Sequence, residues 1–352
     1  MSRFFNYRYR DLTPYTPGEQ PKVLNVTKLN TNECPFPPSA KAQAWAAAHT
    51  RPLNLYPELQ AIDLRTKIAD LNGISPEQVI LGNGSDELLN FAFMAFCDDR
   101  RGAAFADITY GFYPVYADLN HIPYTEIPLR PDFSLAPEDY YALHKTIFLA
   151  NPNAPTGMAL SREQIAGILS ANPDSVVVVD EAYVDFGGES CIPLIASYDN
   201  LLVVQTFSKS RSMAGARLGF AAGQEALIRD LNTLKFSVNP YNVNSMTMAM
   251  GIGVLLDEET TRANCRTIME NRAYTAAELE KLGFAVLPSQ ANFIFARTDR
   301  IDAKELYLKL KERGVLIRHF DKPAIAAFNR ITIGTREQMD ILLREIRAIL
   351  EG

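Results

Sequence analysis

Histidine and cysteine are scarce in this chain, with four of each among 352 residues, and neither is grouped. His49, His121, His144 and His319 stand apart, with no HExxH pair and no His/Cys spacing that suits zinc, so no metal is expected. Cys34, Cys97, Cys191 and Cys265 are widely separated and form no CxxC pattern. They read as unpaired thiols in a reducing compartment. No stretch reaches the run of about eighteen apolar residues that a membrane span needs. The opening residues Met1 to Arg10 interrupt their apolar positions with charge and lack a signal-peptide core. A cytoplasmic protein with no membrane partner is the expectation. An excess of basic charge is also missing: 35 Lys and Arg stand against 41 Asp and Glu, for a net charge of −6. Nucleic acid is therefore not an expected partner. Neither a G-x-S-x-G elbow nor a Walker A loop is present, which removes the usual hydrolase and nucleotidase readings.

What is present begins with an apolar content of 47%, enough for substantial cores, over a length that suggests about two domains. The run Leu201-Leu202-Val203-Val204-Gln205-Thr206-Phe207 reads as a strand covered on both faces, and Ser208-Lys209 follows it. An ammonium at the buried end of such a strand is costly unless it is paired, neutralised or covalently bonded, and lysines in this setting often form imines with carbonyl groups. The alternative is a lysine that simply reaches water. Val176-Val177-Val178-Val179 forms a second buried run that ends in Asp180-Glu181-Ala182-Tyr183. If both strands belong to one parallel sheet, their carboxyl ends share the edge at which open α/β sheets bind ligands. A lysine and a carboxylate converging there, flanked by Ser208 and Arg217, suit pyridoxal phosphate, which needs an imine-forming lysine, an acid partner for its ring nitrogen and donors for its phosphate.

Elements of the two kinds alternate along the chain. Helical patterns cover Ser39 to His49, Glu58 to Leu71, Asp86 to Phe96, Gly111 to Leu119 and Ser161 to Ser170, and strand patterns cover Val23 to Asn30, Gln78 to Leu81, Gly102 to Ala106 and Thr146 to Ala150. After Pro240 a long helical region runs to about Leu282. Beyond it lie an extended segment Phe284 to Pro288, a strand Ala291 to Ala296, a helix Ala303 to Arg313, strands Val315 to Arg318 and Arg330 to Ile333, and a closing helix. The expected fold class is α/β: a large domain with a mostly parallel sheet flanked by helices, and a smaller α+β domain.

The residues Thr206-Phe207-Ser208-Lys209, Ala214-Gly215-Ala216-Arg217-Leu218-Gly219-Phe220 and Asp180-Glu181-Ala182-Tyr183 resemble signatures of the fold-type-I pyridoxal-phosphate aminotransferases. Asp11 to Tyr15, Leu29 to Pro35 and Asn54 to Glu58 further resemble the histidinol-phosphate aminotransferase family within that group. The resemblance implies pyridoxal 5'-phosphate as cofactor, Lys209 as its anchor and proton carrier, and Asp180 as partner of the ring nitrogen. It divides the chain into an arm with the first part of the small domain (1–50), a cofactor-binding large domain (51–245), and an interdomain helix with the rest of the small domain (246–352).

The strand-to-helix turn Leu81-Gly82-Asn83-Gly84-Ser85-Asp86 offers free N–H groups at a helix start, and with the resemblance it implies a phosphate cradle at Gly84, Ser85 and Asp86. Asp86 also reads as a helix cap, which favours its backbone over its carboxylate as the contributor. By the same resemblance Thr206, Ser208 and Arg217 join that cradle, and Tyr110 lies against the ring. Tyr183 bonds the phenolic oxygen, and Tyr56 reaches the phosphate of a neighbouring subunit, so that the working unit is a homodimer. Asn151-Pro152-Asn153-Ala154-Pro155-Thr156-Gly157 departs from the family pattern. Ala154 stands where an asparagine normally meets the phenolic oxygen, and Asn153 is the candidate to replace it. For the substrate, Arg330 resembles the arginine that clamps a carboxylate and Arg318 is a second candidate, while Tyr15, Tyr241 and Asn292 fall in segments that border the substrate.

The implied reaction is transamination between glutamate or 2-oxoglutarate and histidinol phosphate or imidazole acetol phosphate, a step of histidine biosynthesis. Decarboxylation, as in the related threonine-phosphate decarboxylases, and a broad aromatic-amino-acid aminotransferase share most of these motifs. An inert module that keeps the fold without chemistry is disfavoured by the presence of both Lys209 and Asp180.

Overall fold

The computed structural model describes residues 2–20 and 26–352. After β1 (Thr27–Lys28) come α1 (Ala40–His49), α2 (Ile62–Asn72), β2 (Val79–Gly82), α3 (Ser85–Phe96), β3 (Ala103–Ala106), α4 (Phe112–Leu119), β4 (Tyr124–Ile127) and β5 (Thr146–Ala150). The chain continues through α5 (Arg162–Ala171), β6 (Val177–Asp180), β7 (Leu201–Thr206), β8 (Gly219–Gly223), α6 (Glu225–Val238), α7 (Ser245–Leu255) and α8 (Glu258–Lys281). It closes with β9 (Phe284–Val286), β10 (Phe293–Thr298), α9 (Ala303–Glu312), β11 (Val315–Leu316), β12 (Arg318–His319), β13 (Asn329–Thr332) and α10 (Arg336–Glu351).

Seven strands form one sheet in the order β2-β8-β7-β6-β5-β3-β4. The pairs β6–β7, β5–β6, β3–β5 and β3–β4 are parallel, and β8 runs antiparallel to both its neighbours. Successive side chains of a strand point to opposite faces, so both faces of β6 and β7 must be apolar. Val177, Val179, Leu201 and Val203 join the core on one side, and Val178, Leu202 and Val204 the core on the other. Burying each such side chain contributes roughly 1.5–3 kcal/mol before entropy is counted. The parallel strands therefore end together, with Ala106, Ala150, Asp180 and Thr206 along one edge.

The other described strands form a four-stranded antiparallel sheet, β12-β13-β10-β9, and a parallel pair, β1-β11. Ile294 and Ile331 of the sheet pack with Ile268 of α8 and with Leu342, Leu343 and Ile346 of α10.

Several expected elements take a different form. Of the expected strand Val23 to Asn30, positions 23–25 lie outside the described residues, and Thr27–Lys28 pairs with Val315–Leu316. The expected strand Val315 to Arg318 is two short strands in different sheets. The long helical region after Pro240 is two helices, broken at Leu256–Asp257, and Asn244 caps the first by accepting from the Thr247 N–H. Strand β4 carries no buried run because it lies at the sheet edge, with three of its four residues exposed. Strand β8, Gly-Phe-Ala-Ala-Gly, is built of small residues because it passes close to the start of α3: a Cβ on Gly219 would lie 2.5 Å from the Ser85 nitrogen. No helix among the described residues is long and apolar enough to cross a membrane.

Candidate active site

Two adjoining cavities, of about 500 and 100 Å³, open at the carboxyl edge of the large sheet and share Asp86, Tyr110, Ala154, Tyr183, Lys209 and Arg217. Lys209 reaches them from the loop after β7, where its Nζ donates to the Thr31 carbonyl at 3.2 Å and lies 5.7 Å from the centre of the Tyr183 ring. Asp180 lines the smaller cavity from the end of β6. The expected convergence of the lysine and the acid is what the fold produces.

Asp180 is buried and has few partners. Tyr113 Oη donates to its Oδ2 at 3.1 Å and the Ala182 N–H to its Oδ1 at 3.2 Å. Burial pushes this carboxyl up to about 7, against the pull of those two bonds. A cationic ring nitrogen beside it would reverse that balance. Glu181, next along the chain, points to the other side of the strand and accepts from the Cys191 N–H, Ser190 Oγ and Gln205 Nε2. It too is pushed up to about 7 by burial, yet it lines neither cavity.

The phosphate-cradle residues come together. Gly84 is the N-cap of α3 and supplies no side-chain cap, so the first N–H groups of the helix stay available to an anion. Gly84 has φ +83°, and a Cβ there would lie 2.5 Å from an Arg217 terminal nitrogen. Glycine thus lets the guanidinium settle on the turn. Arg217 donates to Ser208 Oγ at 3.3 Å and to Asp86 Oδ2 at 2.7 Å. Asp86 does not cap the helix: its other oxygen accepts from Tyr110 Oη at 2.7 Å. Its carboxylate therefore joins Tyr110 to Arg217, a role that the helix-cap reading missed. Thr206 Oγ1 accepts from the Ser208 N–H at 3.1 Å and holds the turn into Lys209.

Among the proposed substrate residues, Arg330 is the most telling. Its half-buried guanidinium lies between Phe293 and Phe320 at 5.4 and 5.7 Å, donates to the Asn30 carbonyl at 3.1 Å, and leaves its buried Nε without a partner. No carboxylate among the described residues pairs with it, and desolvation pulls it below the ordinary arginine range. A half-buried cation facing a cavity without a counter-ion is a site for an anionic group. Arg318 lines the same cavity but donates to the Thr16 and Pro17 carbonyls at 3.0 and 3.3 Å. It holds the N-terminal arm, whose Tyr15 stacks on Phe112 at 4.1 Å and closes one wall. Replacing Arg330 by lysine is expected to raise KM for an acidic amino donor about ten- to a hundredfold with a smaller change in kcat, since a lysine keeps charge and loses the planar fork. An unchanged KM in steady-state kinetics would remove Arg330 from the substrate site.

Three expectations are not met within one chain. Asn153 does not line the cavities: its amide is taken up by Thr109 Oγ1, the Ile108 carbonyl and Thr156 Oγ1, at 2.8, 2.9 and 3.1 Å. Ala154 faces the cavity instead, so the one-residue offset in the loop turns the amide away from it. Asn292 is fully buried outside the cavities and donates to the Asn32 carbonyl at 3.0 Å. Tyr241 stacks on Tyr56 at 4.3 Å, outside the cavities, and Tyr56 is 77% exposed.

Two contributors were not anticipated. Tyr113 lies in the first turn of α4, Tyr110 in the loop before it, and their rings meet edge-on at 5.7 Å. Asn32 sits inside the Leu29 to Pro35 segment and donates to Tyr183 Oη at 3.0 Å.

The sequence profile of the family described as aminotransferase class I and II matches residues 25–346. The chain belongs to that family. A histidinol-phosphate aminotransferase of Bradyrhizobium diazoefficiens is 48% identical to this aminotransferase over 99% of the chain and 100% of the relative. The crystal structure of the histidinol-phosphate aminotransferase of Sinorhizobium meliloti in complex with pyridoxal-5'-phosphate superposes with a TM-score of 0.85 at 21% identity, covering 92% of this chain and 90% of that one. The L-threonine-O-3-phosphate decarboxylase of Porphyromonas gingivalis gives 0.79 at 22% identity, covering 92% and 99%. The fold is thus shared by proteins named for two different reactions.

Proposed function

We propose that this aminotransferase uses pyridoxal 5'-phosphate to move an amino group between glutamate and imidazole acetol phosphate, forming histidinol phosphate and 2-oxoglutarate, or the reverse. The observation that carries the reading is that Lys209 lines both adjoining cavities, with Asp180 on the smaller and Arg330, which has no counter-ion among the described residues, on the larger. The 48% identical Bradyrhizobium protein bears the name of this reaction over its full length.

The donor set fits the cofactor. Free N–H groups at Ser85 and Asp86, with Ser208 and Arg217, suit a phosphate, and Asp180 suits a protonated ring nitrogen; the Gly84 N–H is spent on the Gly82 carbonyl at 2.9 Å. When bound, the cofactor supplies an aldehyde that condenses with amines and a ring that withdraws electrons. Lys209 Nζ holds the cofactor between turnovers and, once released, carries the proton at the substrate's α-carbon. Tyr110 closes one face of the cavity and Tyr183 presents its hydroxyl to it. Arg330 takes a carboxylate of glutamate or the phosphate of the partner substrate, two anions that one guanidinium can bind in a bidentate manner.

The exposed apolar residues Leu53, Leu55, Phe236 and Val238 flank the stacked Tyr56 and Tyr241. They support a homodimer in which Tyr56 completes the neighbour's phosphate site. Sedimentation of the loaded protein at the chain mass of 39.2 kDa would remove Tyr56 from the site. We place the domain boundaries at 1–50, 51–245 and 246–352, and the protein in the cytoplasm.

Incubation of the loaded protein with glutamate and imidazole acetol phosphate, followed by product analysis, tests the reading. Histidinol phosphate and 2-oxoglutarate in equal amounts are the expected result. Carbon dioxide released from phosphothreonine without amino transfer would replace it with decarboxylation.

A further inference from the structure

Tyr183 is held by a chain of hydrogen bonds whose directions can be worked out. The Asn32 N–H donates to Thr332 Oγ1 at 3.0 Å. The Thr332 hydroxyl has no other acceptor among the described residues, and it donates to Asn32 Oδ1 at 2.9 Å. The oxygen of the Asn32 amide is thereby identified, and its nitrogen faces Tyr183 Oη at 3.0 Å. An amide nitrogen only donates, so the tyrosine oxygen accepts there and must spend its own proton elsewhere. No other protein partner of Tyr183 Oη is found among the described residues. The remaining direction is the cavity that Tyr183, Asn32 and Ala154 line.

The arrangement is built rather than incidental. Asn32 has φ +56°, a left-handed conformation that asparagine tolerates better than most residues. Its own carbonyl is fixed by Asn292 Nδ2 at 3.0 Å, and both Asn32 and Thr332 are buried. Ala154 packs against Tyr183 and brings no hydrogen-bonding side chain.

We propose that Asn32, locked by Thr332, is a positioning residue that acts through Tyr183. It aims the hydroxyl proton into the cavity, where the phenolic oxygen of bound pyridoxal phosphate accepts it. The inference rests on the cofactor reading above and adds to it a single-sided support for that oxygen, with Asn32 doing indirectly what position 154 does not do here. A donor to the phenolic oxygen favours its deprotonated form, so losing the donor must raise the pH at which the bound cofactor's visible absorption band titrates.

The test is a pH titration of that band in the loaded protein. Asn32→Asp keeps size and tolerates the left-handed backbone, but its carboxylate takes the tyrosine proton for itself. Asn32→Gly tolerates the same backbone and removes the amide. The midpoint is expected to rise by about one pH unit in Asn32→Asp and by less in Asn32→Gly. Thr332→Val, which unlocks the amide without touching the cavity, moves it the same way. In a Tyr183→Phe background, Asn32→Gly adds nothing. Folded variants whose midpoint stays put, or an equal shift with and without Tyr183, overturn the proposal. A parent protein with no such band after incubation with pyridoxal phosphate overturns the cofactor reading and this inference with it.

Discussion

Lys209→Ala is expected to lower multiple-turnover activity by more than about a thousandfold while leaving the fold intact. The lysine stands at the end of a fully buried strand, yet its ammonium makes one hydrogen bond among the described residues, to the Thr31 carbonyl at 3.2 Å. Nothing in either core depends on its head group, so the cofactor-free protein should keep its melting temperature to within the small change of a partly exposed substitution. The phosphate cradle at Gly84, Ser208 and Arg217 is untouched, so the variant still binds pyridoxal phosphate, but without a covalent link. Mass spectrometry after borohydride treatment is expected to show the cofactor fixed to the parent chain and absent from the variant. Retained multiple turnover, or a borohydride adduct at another lysine, would contradict the assignment.

Asp180→Asn carries two expected effects of opposite sign. In the loaded protein the loss of the acid beside the ring nitrogen lowers turnover by about a hundred- to a thousandfold, the scale on which a single stabilising group at a reacting centre acts. In the cofactor-free protein the same change stabilises the fold above neutral pH. An unfolded chain ionises this carboxyl near 3.8, whereas the native state holds the proton until about 7. Between those values the unfolded state releases a proton that the native state keeps, so stability falls as pH rises through the window and the full cost stands above it. The displacement corresponds to roughly 4 kcal/mol at most. An asparagine has no such titration. Thermal unfolding of the two cofactor-free proteins at pH 5 and pH 8 checks this: the advantage of Asp180→Asn should grow with pH. An advantage that does not change would mean that the Tyr113 and Ala182 bonds already keep the carboxylate ionised. Saturation with pyridoxal phosphate should then favour the parent, because only the carboxylate offers the ring a counter-charge.

The parts of the site that could be read along the chain are those in which a strand ends abruptly in polar residues. The runs before Asp180 and Lys209 announce strands buried on both faces, and the sheet had to bring their ends to one edge. The turn at Gly84 was legible for the same reason, as a strand giving way to a helix. Asp86 was not: whether a carboxylate in the first turn caps its own helix or bridges Tyr110 and Arg217 depends on a residue 131 positions away. Arg318 and Arg330 show the same limit. Both are arginines near one strand pair, and only packing shows that one is tied to the arm while the other is left without a counter-ion. Helix α6 went unrecognised although it has 14 residues, and Lys235 among its buried positions blurs the apolar stripe.

The sequence by itself determined the alternation of strands and helices, the strand-to-helix turn at Gly84, the family, and a lysine and an acid at the ends of two apolar runs. The family rested on the resemblance of whole motifs; the rest follow from local rules: periodicity, chain reversal and the cost of placing charge at the end of an apolar strand. Tertiary structure alone decided which side chains face the cavity. Asn153 turns away and Asn32 turns in, Tyr113 supports Asp180, and Tyr241 stacks on Tyr56 outside the cavities. A hydrogen bond has a direction and a reach of about 3 Å. Partners separated by 151 positions in Asn32–Tyr183, or by 300 in Asn32–Thr332, meet only once the whole chain has packed.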